Sequence, residues 1–149
     1  MMKSVDRFSL LELPPTPAGA HARRRLLLDG QPSSCVVWGD TLAAQYACDN
    51  FFLLVTHYDY FDGVNCWFHL LDQHGRLKDV VTTPDHFGFM LPAQAVTSCR
   101  LDFGFYDSTE RWSLEVRPAG FWSFGKADLL ARSGRFLFSK RFLQLNKYR

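Results

Sequence analysis

The sequence predicts a mainly β protein: an antiparallel meander forming a single sandwich or half-barrel, with minor helix near the C-terminus. Three observations carry that prediction. Asp62-Gly63 is a two-residue turn signal between two long stretches, 51–61 and 64–71. From 100 to 117, apolar and polar residues alternate on both sides of a four-residue loop at 107–110. An aromatic share of 15%, led by fourteen Phe, supplies a core and argues against disorder.

At 149 residues the chain fits one domain, 1–149, large enough to bury a core without staples. Residues 1–17 form a leading segment that ends in Leu13-Pro14-Pro15-Thr16-Pro17, a connection that cannot continue a helix or a central strand. The β meander covers 21–117, and a basic C-terminal segment covers 118–149. Within the meander, 26–28 and 35–38 read as strands separated by the turn Asp29-Gly30 and by Pro32, with a further short strand near 42–48. In the first hairpin, pairing Phe61 with Val64 sets Asp59 opposite Cys66, His57 opposite Phe68 and Val55 opposite Leu70. Phe51, Leu53, Val55, Val64, Cys66, Phe68 and Leu70 then share a core face. The other face sets Tyr58 opposite Trp67, Tyr60 opposite Asn65 and Thr56 opposite His69.

Gln73-His74-Gly75 turns the chain into a strand over 77–83, ended by Pro84, with a register open by one residue. In the second hairpin Tyr106 pairs with Arg111, Phe105 with Trp112, Phe103 with Leu114 and Leu101 with Val116, so every apolar residue falls on one face. Beyond Pro118, 127–132 fits a single helical turn. Residues 135–145 fit a strand through Phe136 and Phe138 or a helix through Phe138, Phe142 and Leu145; a short helix or mixed end is expected.

Net charge is +2, but the charges are segregated. Eleven acids face four bases between 40 and 115, whereas one acid, Asp128, faces eight bases between 117 and 149. Asymmetry of this size bears on partners. The N-terminus has no continuous apolar stretch and does not read as a signal peptide. No run is long enough to span a membrane as a helix. A cytoplasmic setting is therefore expected, with Cys35, Cys48, Cys66 and Cys99 as reduced thiols. Their spacing contains no C-x-x-C pair, and His69, His74 and His86 have no metal-ligand spacing, so neither metal nor cofactor is expected.

Gly120 to Lys126 matches the spacing of a phosphate-binding loop, but Ala127 stands where the magnesium-binding hydroxyl belongs and the interior is filled by Phe121, Trp122 and Phe124. Nucleotide hydrolysis is not expected. His57 and Asp59 lie two apart on one strand, on the inward side with Cys66. They fit a polar pair closing the end of a core better than a general base, and an adjacent carboxylate raises a thiol pKa rather than lowering it.

The remaining feature is the acidic, aromatic face made by Tyr58, Tyr60, Asp62, Trp67 and His69, near Asp72, Asp79 and Asp85. Phe52 and Leu54 share that face, so part of it can also be a second core layer. Tyr and Trp are enriched among interface anchors, and acids steer a basic partner. The expected function is thus a non-enzymatic protein-binding module that sets this surface against a basic protein partner. A bacterial immunity protein neutralising a co-encoded toxin is a concrete form of it. The competing readings are a small-ligand-binding or enzymatic β-barrel with a site near His57, Asp59 and Cys66, and nucleic-acid binding through the basic C-terminal segment.

Overall fold

The computed structural model describes residues 2–12, 23–60, 63–83, 94–97, 99–105, 109–122 and 140–148. Their regular structure is strand alone: β1 (Lys3–Ser4), β2 (Phe8–Glu12), β3 (Arg23–Leu28), β4 (Gln31–Trp38), β5 (Thr41–Cys48), β6 (Phe51–Tyr60), β7 (Gly63–Asp72), β8 (Leu77–Thr82), β9 (Gln94–Thr97), β10 (Arg100–Gly104), β11 (Arg111–Phe121) and β12 (Arg141–Tyr148). These form a five-stranded sheet ordered β1-β5-β6-β7-β8, a four-stranded sheet β12-β11-β10-β9 and a three-stranded sheet β2-β3-β4. All pairings are antiparallel, as the sequence predicts. Among the described residues no helix is long and apolar enough to cross a membrane.

The five-stranded sheet is the middle layer of three. On one face, Leu53, Val55, Cys66, Phe68 and Leu70 pack with Leu101, Phe103, Trp112 and Leu114 of the four-stranded sheet. On the other, Phe52, Leu54 and Leu71 pack with Phe8, Leu26 and Val37 of the three-stranded sheet. A strand covered on both sides needs no polar alternation, which explains the near-continuous apolar run at 51–55. Each large side chain so enclosed contributes about 1.5–3 kcal/mol relative to exposure. The expected sandwich is therefore one of two cores. The second core is built partly from residues read as a leading segment.

That leading segment ties two sheets together. β1 extends the edge of β5, with Lys3 opposite Ala47 and Ser4 opposite Tyr46. The chain then crosses to the three-stranded sheet as β2. Gln45, on β5, secures the crossing: its Oε1 accepts the Arg7 and Phe8 amides, each at 2.9 Å, and its Nε2 donates to the Phe8 carbonyl at 3.1 Å. The β3–β4 turn is Asp29-Gly30, as expected, with φ of 52° and 81°, the left-handed pair of a two-residue hairpin. Pro32 lies in β4, an edge strand of its sheet, where a missing amide is tolerated.

Both predicted hairpins form, each displaced by two residues. Tyr60 pairs with Gly63, His57 with Cys66 and Val55 with Phe68. Gly104 pairs with Arg111, Phe103 with Trp112 and Leu101 with Leu114. An even displacement keeps every side chain on its expected face, so both core faces survive. At the C-terminus the expected helix or mixed end over 135–145 is corrected in part. Arg141–Tyr148 are strand, because β12 pairs along β11 from Tyr148 opposite Arg111 to Leu143 opposite Val116. Sheet pairing overrides the weak helical period of Phe142 and Leu145. The expected turn at 127–132 lies outside the described residues.

Edge strands β8 and β12 are joined by a buried carboxylate. Asp79 Oδ2 accepts the Phe142 and Leu143 amides at 2.8 and 2.9 Å, and Oδ1 accepts the Val80 amide at 2.9 Å. The Arg141 guanidinium, itself buried, approaches with Nε at 3.9 Å from Oδ2. Two edges that would otherwise present bare amides are thus closed by one side chain. Asp79→Ala strands those amides and removes a carboxylate from beside the buried Arg141 guanidinium. Its expected effect is a stability loss of about 3–5 kcal/mol in urea unfolding, with Asp79→Asn intermediate. A loss below about 1 kcal/mol in the alanine variant shows that the carboxylate does not close this edge.

Candidate functional site

The outward end of the β6–β7 hairpin, on the side of the three-stranded sheet, carries the residues singled out as an aromatic surface. The structure divides them. Trp67 is 5% exposed and His69 fully buried, so these two belong to the second core layer rather than to an open face. The reason is the end of β4. Trp38 lies over Trp67, with ring centroids 6.5 Å apart and planes 19° from parallel, and the Arg23 guanidinium lies 5.5 Å from the Trp38 ring centroid on its approach to solvent. Tyr58 is half-buried and Asp59 exposed. Tyr60 ends β6, paired with Gly63, and Asp62 lies outside the described residues. Of the acids expected to steer a partner, Asp79 is buried, and Asp72 caps its own turn by accepting the His74 and Arg76 amides at 2.8 and 3.0 Å.

The buried polar residues of this face hold β4 in place. The Trp38 amide donates to His69 Nε2 at 3.1 Å, and the Thr56 hydroxyl donates to the Trp38 carbonyl at 2.6 Å. Gly39 follows with φ of 92°. A Cβ there would lie 2.9 Å from the Thr56 hydroxyl and 3.0 Å from the His57 carbonyl, so the turn needs glycine both for its conformation and for its close approach. The Asp40 amide then donates to the His57 carbonyl at 3.1 Å. His69 can accept from Trp38 only as a neutral imidazole, and burial pushes its pKa down to about 3 against a hydrogen bond to the Leu54 backbone that raises it.

The opposite, inward face holds the other suggested cluster. His57 and Cys66 are cross-strand partners, and His57 Nδ1 lies 3.3 Å from Asp59 Oδ1. Cys66 is fully buried, and burial, reinforced by the Asp59 charge, pushes its thiol up to about 12. A thiol so placed stays protonated at neutral pH and is a poor nucleophile. Gly120 sits near the end of β11 with φ of 73°, where the pairing with β12 shifts register, so this part of the loop-like motif is antiparallel strand. Residues 123–130 lie outside the described residues.

One grouping has no counterpart in the sequence reading. Cys48, Asp49 and Cys99 bring three potential ligand atoms within 4.8 Å of one another, from two different sheets. With the cysteines 51 positions apart, no local spacing signals it.

Trp67→Ala empties part of the second core and is expected to cost about 3–5 kcal/mol of stability in denaturant unfolding. His69 adds a pH dependence. Its folded pKa lies below the ordinary 6.5, so the unfolded chain takes up a proton that the folded one refuses. The contribution is complete above pH 6.5 and is lost as the pH falls toward 3, by about 1.4 kcal/mol per unit. Urea midpoints at pH 7.5 and 5.5 should differ less in His69→Gln than in the wild type; equal differences refute the assignment. Comparison with known proteins finds no matching family model, no matching curated protein and no matching solved structure.

Proposed function

We propose that this chain is a non-enzymatic, cytoplasmic protein-binding module that recognises a basic protein through the end of its β6–β7 hairpin. A bacterial immunity protein that neutralises a co-encoded toxin is the concrete form of this reading. The observation that carries it is the half-buried Tyr58 ring at the end of a hairpin otherwise enclosed by two sheets, with the exposed Asp59 carboxylate on the other face of the same strand end. A half-buried ring has less freedom to lose on binding than an exposed one, and Tyr is a preferred anchor of interfaces. Asp40, on the adjoining turn, adds a second carboxylate to that end. Compared with the surface inferred from sequence, the contact set keeps Tyr58 and loses Trp67 and His69 to the core.

The enzymatic alternative at His57, Asp59 and Cys66 gains no support from a thiol held protonated. The nucleic-acid alternative rests on a segment whose strand β12 contributes the buried Leu143 and Arg141 to the core, so its bases are partly structural. The full chain, immobilised and exposed to a lysate of its native host, should capture a basic protein. Against that partner, Tyr58→Ala and Asp59→Lys should each weaken binding by about 2 kcal/mol or more while unfolding at the wild-type denaturant midpoint. Capture of no basic protein, or wild-type affinity in both variants, overturns the proposal. Fast alkylation of Cys66 in the folded protein would favour the ligand-binding or enzymatic reading instead.

A further inference from the structure

Cys48 and Cys99 are 51 positions apart, yet their sulfurs lie 3.2 Å from each other. Cys48 is the last residue of β5, paired with Phe51 across the turn that follows. Cys99 lies between β9 and β10, where Thr97 pairs with Arg100, and its carbonyl accepts the Val116 amide at 2.8 Å. Each thiol is therefore positioned by its own sheet, and the pair spans the seam between the central and four-stranded layers. The Asp49 carboxylate lies 3.6 Å from the Cys99 sulfur.

The geometry points to Cys48 and Cys99 as an oxidisable dithiol whose product is a disulfide joining the central sheet to the four-stranded sheet. Cys48 is buried and Cys99 half-buried, so an oxidant in solution meets Cys99 first. With a low-molecular-weight disulfide such as glutathione disulfide, the Cys99 sulfur gives its proton to water, attacks one glutathione sulfur and expels a glutathione thiolate. The Cys48 thiol, which burial holds protonated, gives up its proton only in passing as its sulfur attacks the adjacent Cys99 sulfur of the mixed disulfide and expels the second glutathione thiolate, so this closing step is the slow one and quickens as the pH rises. Two S–H bonds break and one protein S–S bond forms. Two electrons and two protons convert glutathione disulfide into two molecules of glutathione.

A metal ion is the other chemistry open to Cys48, Asp49 and Cys99. Two thiolates on tetrahedral zinc stand about 3.8 Å apart, so this pair would have to be spread. Burial, then Cys99 and the Asp49 charge, push the Cys48 thiol up to about 12, which disfavours the thiolate that a metal requires. A disulfide needs the thiolate only during the exchange and carries no charge once formed.

The test uses the full chain, reduced and then exchanged into glutathione disulfide, and is read by intact mass, by mapping of linked peptides and by thermal unfolding. The expected product has lost two hydrogens, links the peptides of Cys48 and Cys99, and melts about 10 °C higher, as closing a loop of this length implies. Cys48→Ser should stop at a glutathione adduct on Cys99, whereas Cys99→Ser should leave Cys48 unmodified. Wild-type thiols that stay reduced, a glutathione adduct on Cys99 that persists in the wild type, or linkage through Cys35 or Cys66 overturns the proposal. So does one equivalent of zinc that binds and shields both thiols, which identifies a metal site instead.

Discussion

Because the central sheet is covered on both faces, every polar group that its strands carry inward has to find a partner inside the protein. Apolar contact alone tolerates some sliding of one sheet over another, since burial is non-directional. Directed hydrogen bonds do not, and each buried group left without one costs about 1–3 kcal/mol. Thr56 and His69 meet this requirement by gripping the Trp38 carbonyl and amide, which fixes the three-stranded sheet against the middle layer. Asp79 meets it on the other side by accepting two amides of β12, which fixes the four-stranded sheet. The side chains that enclosure made expensive are therefore the ones that set the three layers in register.

The two sides solve the problem with different charges. Guanidinium groups do not deprotonate in proteins, so a buried Arg141 brings its charge into the core and is set beside a carboxylate. Among the described residues no carboxylate pairs with His69, and its task is to accept a hydrogen bond from an amide, so the neutral form is the one that fits. Acid works against the second arrangement because the unfolded chain takes up the proton that the buried imidazole refuses.

Much of the fold was legible because alternation reports the parity of a strand directly. Leu53, Val55, Cys66, Phe68 and Leu70 share the expected face, as do Leu101, Phe103, Trp112 and Leu114. Alternation carries no information on even displacements, since a shift of two leaves every face unchanged. The registers of both hairpins were displaced by that amount. The second core was hidden for another reason: an apolar run such as 51–55 reads the same whether its far side is covered by chain or by a partner. The covering strands β2 and β3 carry Ser9, Glu12 and three arginines, a composition that does not announce a core layer. Trp67 and His69 were placed on the right face, but their burial depends on Trp38, a residue 29 and 31 positions away. Asp79 and the Cys48–Cys99 pair depend on contacts still more distant in sequence.

Enclosure also decides which charges reach the surface as charges. The acids between 40 and 115 form a large excess in the sequence, but many are engaged locally. Asp102 and Glu110 lie against Arg100 and Lys147, while Asp72 and Asp79 are occupied by backbone amides. Asp40 and Asp59 have a hydroxyl and an imidazole as neighbours, which compensate a carboxylate less than a guanidinium or ammonium does. The Asp40 amide bonds the His57 carbonyl, so these two acids stand at the same end of the sheet as Tyr58, with Asp59 on the opposite face of β6 from that ring. Asp40 and Asp59 are therefore among the less compensated acids of the described residues, because the partners they have carry no fixed positive charge.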